Sequence, residues 1–496
     1  MLKAQAVAAV EGQKPWKYPV FAPFRPNSVF PELKGMVTVG TERNLTYRLC
    51  RDLMMVLGLD ADHADSANWN PLGELVRPGQ KVLIKPNLVN HTHLGGGEYD
   101  AVVTHGSLIR CILDYVGLAL KGHGAIIVGD APVQSADFSK TVERTGLAQL
   151  CEHASKVWRV PVSLRDFRLS SVELNSQSHI IKRRVMKGDE GGYRVIDLGK
   201  KSLLAPIGHY ADRFRVTNYN CYEMRLHHNS HVNEYLVPKS VLEADVFINL
   251  PKLKTHRKVG ITAALKNVVG INGHKDWLPH HRYGALSEGG DEYREPSFLK
   301  RFVTHFVESI DENPRGILNS CRRLAIRVAD RLIYHTSADP FSEGSWYGND
   351  TIWRTVLDLN RLLVYADKEG MMQETPQRRC FTIVDAVVAG DGEGPLEPNA
   401  RPLGLLAGAT NSVALDTILS ALIGFDYRKI PLIANAYRVE DWPLIDFSSD
   451  AIEVHFQGRN WSLRSIEENN QSGHFRPASG WVGHIEIHDP PSINSL

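Results

Sequence analysis

In the stretch PKLKTHRKVGITAALKNVVG, Pro251 to Gly270, the chain places Lys252, Lys254, Arg257, Lys258 and Lys266 with no Asp or Glu among them. Positive charge gathered in this way attracts an anion. The spacing predicts a loop over KLKTHRKVG and then a helix over ITAALKNVVG. That helix has Ile261, Leu265 and Val268 on its core face, with Thr262 and Lys266, four residues apart, on another. Free N–H groups at its start, with cations just upstream and Lys266 one turn in, suit a carboxylate or a phosphate. The stretch is not a phosphate-binding P-loop, because GxxxxGK[ST] is absent. A solvated basic face is the competing reading of the same residues.

Other groups able to do chemistry sit where apolar runs stop. KVLIKPN ends in Lys85 and Asn87, AIIVGD in Asp130, DVFINLPKLKTH in Asn249, Lys252, Lys254 and His256, and FTIVD in Asp385. Ligands of open parallel sheets bind beyond the carboxyl ends of the strands, so these groups are expected to share one crevice. After Asp385 comes AGDGEGP, whose glycines allow close backbone approach and whose Asp391 and Glu393 can hold a divalent cation or move a proton. Asp416, in SVALDTIL, is placed to cap a helix, pair with a lysine or face the crevice. His256, flanked by basic residues at a strand end, is the first choice for acid–base work, with His105 second. His227 and His231 in HHNSH have metal-compatible spacing if helical, but no Glu completes a zinc-protease motif.

The elements that position these groups read as α/β. Val82 to Ile84 is a buried strand, HGSLIRCILDYVGLAL a helix with Ile109, Leu113, Val116 and Leu120 on one face, and GAIIVGD a second buried strand, which makes a βαβ unit and implies a parallel sheet. The pattern resumes with a strand at Val246 to Leu250, a helix from Ile352 to Ala366, the strand FTIVD, a loop through AVVAGDGEGP and the helix SVALDTILSALIG. Residues 1–75, with five prolines between Pro15 and Pro31, read as an irregular lead segment containing a helix at Leu45 to Leu57. Residues 76–426 form the core, interrupted by insertions at about 151–235 and 271–350. The first insertion contains an expected hairpin about Gly191-Gly192, and the second an amphipathic helix near Phe298 to Ile333. Residues 427–496 form a strand-rich extension through AIEVHFQ and GHIEIHD. The expectation is a mostly parallel sheet flanked by helices and decorated by two insertions.

Composition narrows the function. The 496 residues are 43% hydrophobic with a formal net charge of +1, so the chain is no general magnet for nucleic acid or membrane, and the basic stretch is local. No apolar run is long enough to cross a bilayer and no secretory leader is evident. Six scattered cysteines, without a CxxC, read as free thiols in a reducing compartment, which implies the cytoplasm. A two-fold homodimer is the commonest assembly for a chain of this kind and is the expectation here.

KVLIKPNLV, HGAIIVGDAP, DVFINLPKLKTHRKVGITAALKNVVGINGHKD and FTIVDAVVAGDGEGPLEPNARPLGLLAGATNSVALDTILSALIGFD, spanning Lys81 to Asp426, resemble the DUF362 family, a domain of unknown function. The resemblance implies importance for Lys85, Asn87, Asp130, Lys252, Lys254, His256, Lys266, Asn267, Asp385, Glu393 and Asp416. Many members carry a ferredoxin-type cysteine cluster that this chain lacks, so no iron–sulfur cluster is expected. The layout is also remotely similar to lactate-racemase-like proteins, which do proton or hydride chemistry on hydroxy acids. Together these readings lead to the expectation of an enzyme acting on an anionic small molecule. Lys85, Asn87, Lys252, Lys254, Thr255 and Asn267 are expected to hold the anion, and Asp130, Asp385 and Glu393 to bind a divalent metal or position the reacting group. His256, Lys266, Asp385 and Glu393 do the chemistry, which is isomerisation, epimerisation, elimination or group transfer. The alternative is a non-catalytic accessory protein that binds a metal or cofactor, which the histidine-rich second insertion suits.

Overall fold

The computed structural model describes residues 3–174, 180–216, 220–312, 318–336, 339, 341–469 and 474–487. Eleven strands form the main sheet. In chain order they are β1 (Ala6–Glu11), β2 (Lys81–Pro86), β3 (Ala125–Asp130), β4 (Val162–Asp166), β5 (Val246–Leu250), β6 (Lys252–His256), β7 (Gly260–Thr262), β8 (Arg379–Glu393), β9 (Glu397–Ala409), β10 (Glu453–Phe456) and β11 (Arg459–Trp461). Across the sheet the order is β11-β10-β1-β9-β8-β5-β2-β3-β4, with β6 on β8 and β7 on β6. Strands β8, β5, β2, β3 and β4 run parallel to one another. Antiparallel pairing joins β9 to β8 and to β1.

Period-two alternation explains why helices cover both faces. In β2, Val82 and Ile84 point to one side and Leu83 to the other; in β5, Val246 and Ile248 oppose Phe247. The first side packs on α1 (Leu45–Val56), α2 (Gly106–Leu120) and α3 (Leu147–Trp158). The second packs on α4 (Ala264–Asn267), α5 (Ile352–Tyr365) and α6 (Ser412–Leu422). Local chemistry sets the helix starts. Asn44 accepts from the Tyr47 N–H at 3.0 Å to open α1, and Asn411 accepts from the Val413 and Ala414 N–H groups, each at 2.9 Å, to open α6.

The chain runs β2, β3, β4 towards one edge and then returns to lay β5 and β8 on the other side of β2. The order therefore reverses between β2 and β5, where Lys85 and Asn249 are register partners. Such a reversal leaves a crevice at the carboxyl ends of the two strands.

Several local expectations are corrected. AVAAVE, in the supposedly irregular lead, is strand β1, with Val7, Ala8 and Ala9 buried between the two layers. KLKTH is strand β6, and the expected long helix is the short α4 followed by a 3-10 turn, because Ile261 and Thr262 pair with Thr255 and Lys254 in a hairpin. The glycine-rich acidic loop is the far end of a long β8–β9 hairpin, paired out to Glu393 and Glu397. Gly191-Gly192 joins no hairpin: Tyr193–Asp197 pairs with Glu234–Pro238, and Ile180–Val185 with Ser170–Leu174. Two helices, Phe298–Glu312 and Asn319–Thr336, replace the single one expected. AIEVHFQ supplies β10, whereas GHIEIHD contributes a single bridge from Glu486 to Phe425, and its His488 and Asp489 lie outside the described residues.

One buried cluster fastens the lead segment to the sheet. The Lys252 ammonium lies 2.8 Å from the Asp385 carboxylate and donates to Tyr18 Oη at 2.7 Å and to the Val388 carbonyl at 3.2 Å. Tyr18 donates to Asp385 at 2.5 Å. Removing one partner of such a pair strands the other charge without solvent. Asp385→Ala is expected to cost about 3–5 kcal/mol in urea unfolding, whereas Lys252→Met with Asp385→Leu recovers most of that loss. Equal losses in the single and double variants contradict the assignment.

Candidate functional site

A cleft of about 320 Å³ opens at the strand-order reversal. Its floor is the ends of β2 and β3, and its walls are the β6–β7 hairpin, α4 and the turn after it. Pro395 and Leu396, at the tip of the β8–β9 hairpin, close one side, and both insertions reach in, through Val172, Leu174 and Val216 and through Lys275, His280 and Glu343.

The floor is an interlocked polar network. Lys85 lies 2.8 Å from the Asp130 carboxylate and donates to Asn267 Oδ1 at 3.2 Å and to the Pro86 carbonyl at 3.0 Å. Asp130 also accepts from the backbone N–H groups of Leu88 at 2.8 Å and Ala131 at 2.9 Å. Asn267 Nδ2 donates to Asn249 Oδ1 at 2.8 Å, and Asn249 Nδ2 to the Ala264 carbonyl at 2.9 Å, so α4 is tied to β5. Asp416, buried on α6, accepts from the Ala264 and Leu265 N–H groups at 2.7 and 2.9 Å and so caps the helix that carries Lys266. Burial raises that carboxyl to about 7, against the lowering effect of the two N–H groups.

Charge in the cleft is unbalanced. Lys85, Lys254, Arg257, Lys258, Lys266 and Lys275 line it against the carboxylates of Asp130 and Glu343. Desolvation and mutual repulsion push the ammonium groups towards neutrality. Lys275 falls to about 7, through burial and then Lys85 and Lys266, with Asp130 opposing. Lys266 falls to about 8, through burial, Lys85 and Lys258. Lys254, fully buried with its Nζ 2.5 Å from the Val102 carbonyl, is driven well down by burial, Lys252 and Lys266. Thr262, cross-strand partner of Lys254, also lines the cleft, and its buried Oγ1 has no hydrogen-bond partner among the described residues.

Two histidines complete the lining, held in opposite tautomers. His256 Nδ1 accepts from the Lys258 N–H at 3.0 Å, which leaves the hydrogen on Nε2. His280 Nδ1 donates to the Leu278 carbonyl at 2.7 Å, which leaves a lone pair on Nε2. Burial and then neighbouring cations, Lys266 for His256 and Lys258 for His280, hold both well below the usual histidine range, so both rings are neutral near pH 7.

Of the residues singled out from sequence, Lys85, Asn87, Asp130, Lys254, His256, Lys266 and Asn267 line the cleft. The others serve it from outside. Thr255 turns away and donates to the Gly392 carbonyl at 2.7 Å. Lys252 and Asp385 neutralise each other in the buried cluster, and His105 caps α2 through Ser107 while stacking on Tyr18 at 4.1 Å. Glu393 accepts from the Ser479 N–H at 2.7 Å. The expected metal set, Asp130, Asp385 and Glu393, is thus split among three places. Among the described residues no three His, Cys, Asp or Glu side chains converge as metal ligands. His227 ends its helix and stacks on Trp277, and His231 lies beyond that helix. Sequence reasoning did not single out Lys275 or His280 for this site, and it named Thr262 only as sharing a helical face with Lys266 and Gly270 only as the end of the basic stretch. The continuation of the basic stretch into NGHKD and the His280-His281 pair were the available signals.

The family described as "Domain of unknown function (DUF362)" matches residues 82–187 and 197–421. The chain belongs to the DUF362 family. No curated protein matches it. A crystal structure of a Thermotoga maritima protein, a target of the Northeast Structural Genomics Consortium, is 12% identical, covering 73% of this chain and 55% of its own, with a TM-score of 0.27. The chain thus spans about half the length of that protein, and a likeness so slight carries no argument. The DUF362 match takes in the cleft residues from Lys85 to Leu396 and leaves β1, β10 and β11 outside it.

Gly270 tests the floor directly. Its carbonyl accepts from the Ala131 N–H at 2.9 Å, and a Cβ there would sit 1.9 Å from Asp130 Oδ1 and 2.6 Å from Lys85 Nζ. Gly270→Ala is expected to force the Lys85–Asp130 pair apart and cost about 1–3 kcal/mol in denaturant unfolding, as overpacking does. A variant as stable as the parent would show that the approach is looser than described.

Proposed function

We propose that this DUF362 protein is an enzyme that binds a small carboxylate- or phosphate-bearing molecule in the cleft and moves a proton on it. The observation that carries the reading is the surplus of cationic side chains over carboxylates in one cleft at the strand-order reversal. An anion there recovers the Coulombic energy that desolvated lysines lack when the cleft is empty. Lys85, with Asp130 and Asn267, shapes the floor, while Lys254, Arg257, Lys258 and Lys275 attract the anion. His256 offers a hydrogen-bond donor to an oxygen that gains negative charge, as a neutral imidazole can, and His280 offers a lone pair on Nε2. Apolar neighbours such as Val89, Leu94, Val133 and Leu278 suit a short carbon skeleton. Isomerisation, epimerisation and elimination share the proton transfer that this set supports. The six cysteines form no disulfide, which favours a reducing, cytoplasmic setting.

Binding has a defined pH dependence. Lys275 at about 7 and Lys266 at about 8 face Lys85, Lys258, Asp130 and the neutral His256 and His280. An anion favours their protonated forms, so affinity is greatest below pH 7 and falls as each lysine loses its proton. Sulfate keeps one charge across this range and reports the protein alone. Its affinity by calorimetry is expected to weaken by about tenfold or more between pH 7 and 9, with proton uptake on binding. A flat profile removes the assigned lysines from the site. For the chemistry, carboxylic acids and phosphate esters incubated with the protein in D2O are expected to exchange a carbon-bound proton next to the anionic group. His256→Ala slows that exchange, and no exchange with any member of a broad panel counts against an enzyme.

A further inference from the structure

The lysines of the cleft are not equivalent. Lys85 is held by Asp130, Lys254 by the Val102 carbonyl, Lys258 faces Glu343 at 3.8 Å, and Lys275 donates to the Val269 carbonyl at 3.2 Å. Among the described residues, Lys266 is the one lysine lining the cleft with neither a hydrogen bond nor a carboxylate within 4.0 Å, Asp130 acting on it only from farther off. Its backbone, by contrast, is anchored on both sides. Asp416 caps the preceding two N–H groups, and the next residue, Asn267, is bonded to Lys85 and Asn249. A fixed backbone carrying an unengaged, half-buried amine is how a nucleophile is presented, whereas the other lysines of the cleft are each engaged by a carboxylate or a carbonyl.

Resting on the reading of this cleft as an anion site, we propose that its substrates carry a carbonyl beside the anionic group, and that the Lys266 amine adds to that carbonyl to form an imine. The surroundings favour the neutral amine that such addition requires: burial and the ammonium groups of Lys85 and Lys258 lower it to about 8. Roughly a tenth is then neutral at pH 7 before an anion binds, against roughly three in ten thousand for an ordinary lysine, and a bound anion draws that fraction down. The Nζ lone pair bonds to the carbonyl carbon, and the C=O pair moves to oxygen beside His256 Nε2–H and takes up a proton. The nitrogen gives up a proton, loss of water leaves C=N, and the imine nitrogen takes up one proton from solvent. Amine and carbonyl become imine and water, with no oxidant or reductant. The protonated imine withdraws electrons from the neighbouring C–H bond, and the Nε2 lone pair of His280 stands in the same cleft to receive that proton.

Pyridoxal 5′-phosphate, an aldehyde bearing a phosphate, is the probe, with pyridoxal as its uncharged-tail comparator. The full chain is treated with a substoichiometric amount, reduced with borohydride, digested and mapped by mass spectrometry. The expected label lies on Lys266, at least tenfold stronger with the phosphate than without it, and is suppressed by sulfate. Lys266→Arg keeps a cation but not the amine, and is expected to lose the label while still binding sulfate by calorimetry. Label spread over surface lysines without sulfate protection, or unchanged in Lys266→Arg, overturns the imine while sulfate binding leaves the anion reading standing. Absence of sulfate binding in the parent protein overturns the anion reading itself, and the imine with it. The parent map and its sulfate protection decide the question even if Lys266→Arg does not fold.

Discussion

A lysine and an aspartate buried side by side at the point where the strand order reverses hold the site together. Lys85 leaves β2 and Asp130 leaves β3, so their pairing fixes the ends of two neighbouring strands. Taking both charges out of water costs several kcal/mol per ion, and attraction between them offsets that only when their remaining hydrogen-bonding capacity is also met. Here it is met. The ammonium has Asp130, Asn267 and the Pro86 carbonyl, and the carboxylate has two backbone N–H groups besides the lysine. Through Asn267 the pair also sets the position of α4, and with it Lys266.

The same strand treats two of its lysines in opposite ways. Lys252 and Lys254 are two residues apart on β6, yet the first has Asp385 and the second has only a carbonyl and a hydroxyl-bearing neighbour across the hairpin. A bulge in β8 makes the difference. Register jumps from Lys252–Asp385 to Lys254–Gly390, which seats Lys252 against Asp385 and the Val388 carbonyl and leaves no carboxylate opposite Lys254. Charge that is matched serves the fold, and charge that is unmatched is left for a ligand.

The frame of this arrangement was legible from composition of short runs. KVLIKPN, AIIVGD and DVFINL are apolar enough to be strands buried on both faces, and the polar ends of the first two, Lys85, Asn87 and Asp130, line the cleft. What the one-dimensional pattern could not show was partnership across the sheet. Nothing near Lys252 or Asp385 in sequence announces that they neutralise each other, because the pairing depends on the β8 bulge. Lys275 and His280 were assigned to an insertion, since the stretch after Gly270 has no helical or alternating pattern. Its residues are arranged by tertiary hydrogen bonds, such as Gly270 to Ala131 and Asn272 to Leu236, which have no period to detect. The glycine-rich acidic segment read as a loop for the opposite reason: its strand character comes from its partner, β9.

Strand β1 has a consequence for how the chain is made. It lies between β9 and β10, so its neighbours are supplied by residues 405–409 and 453–456. During synthesis β1 thus emerges long before either neighbour, and until they are made its edge groups have no ladder to join. This part of the sheet closes only once residues 453–456 have been made. Loss of β1 would expose the edges of β9 and β10, and loss of β10 that of β1, so these strands form one structural unit although β1 and β10 lie outside the family's shared span.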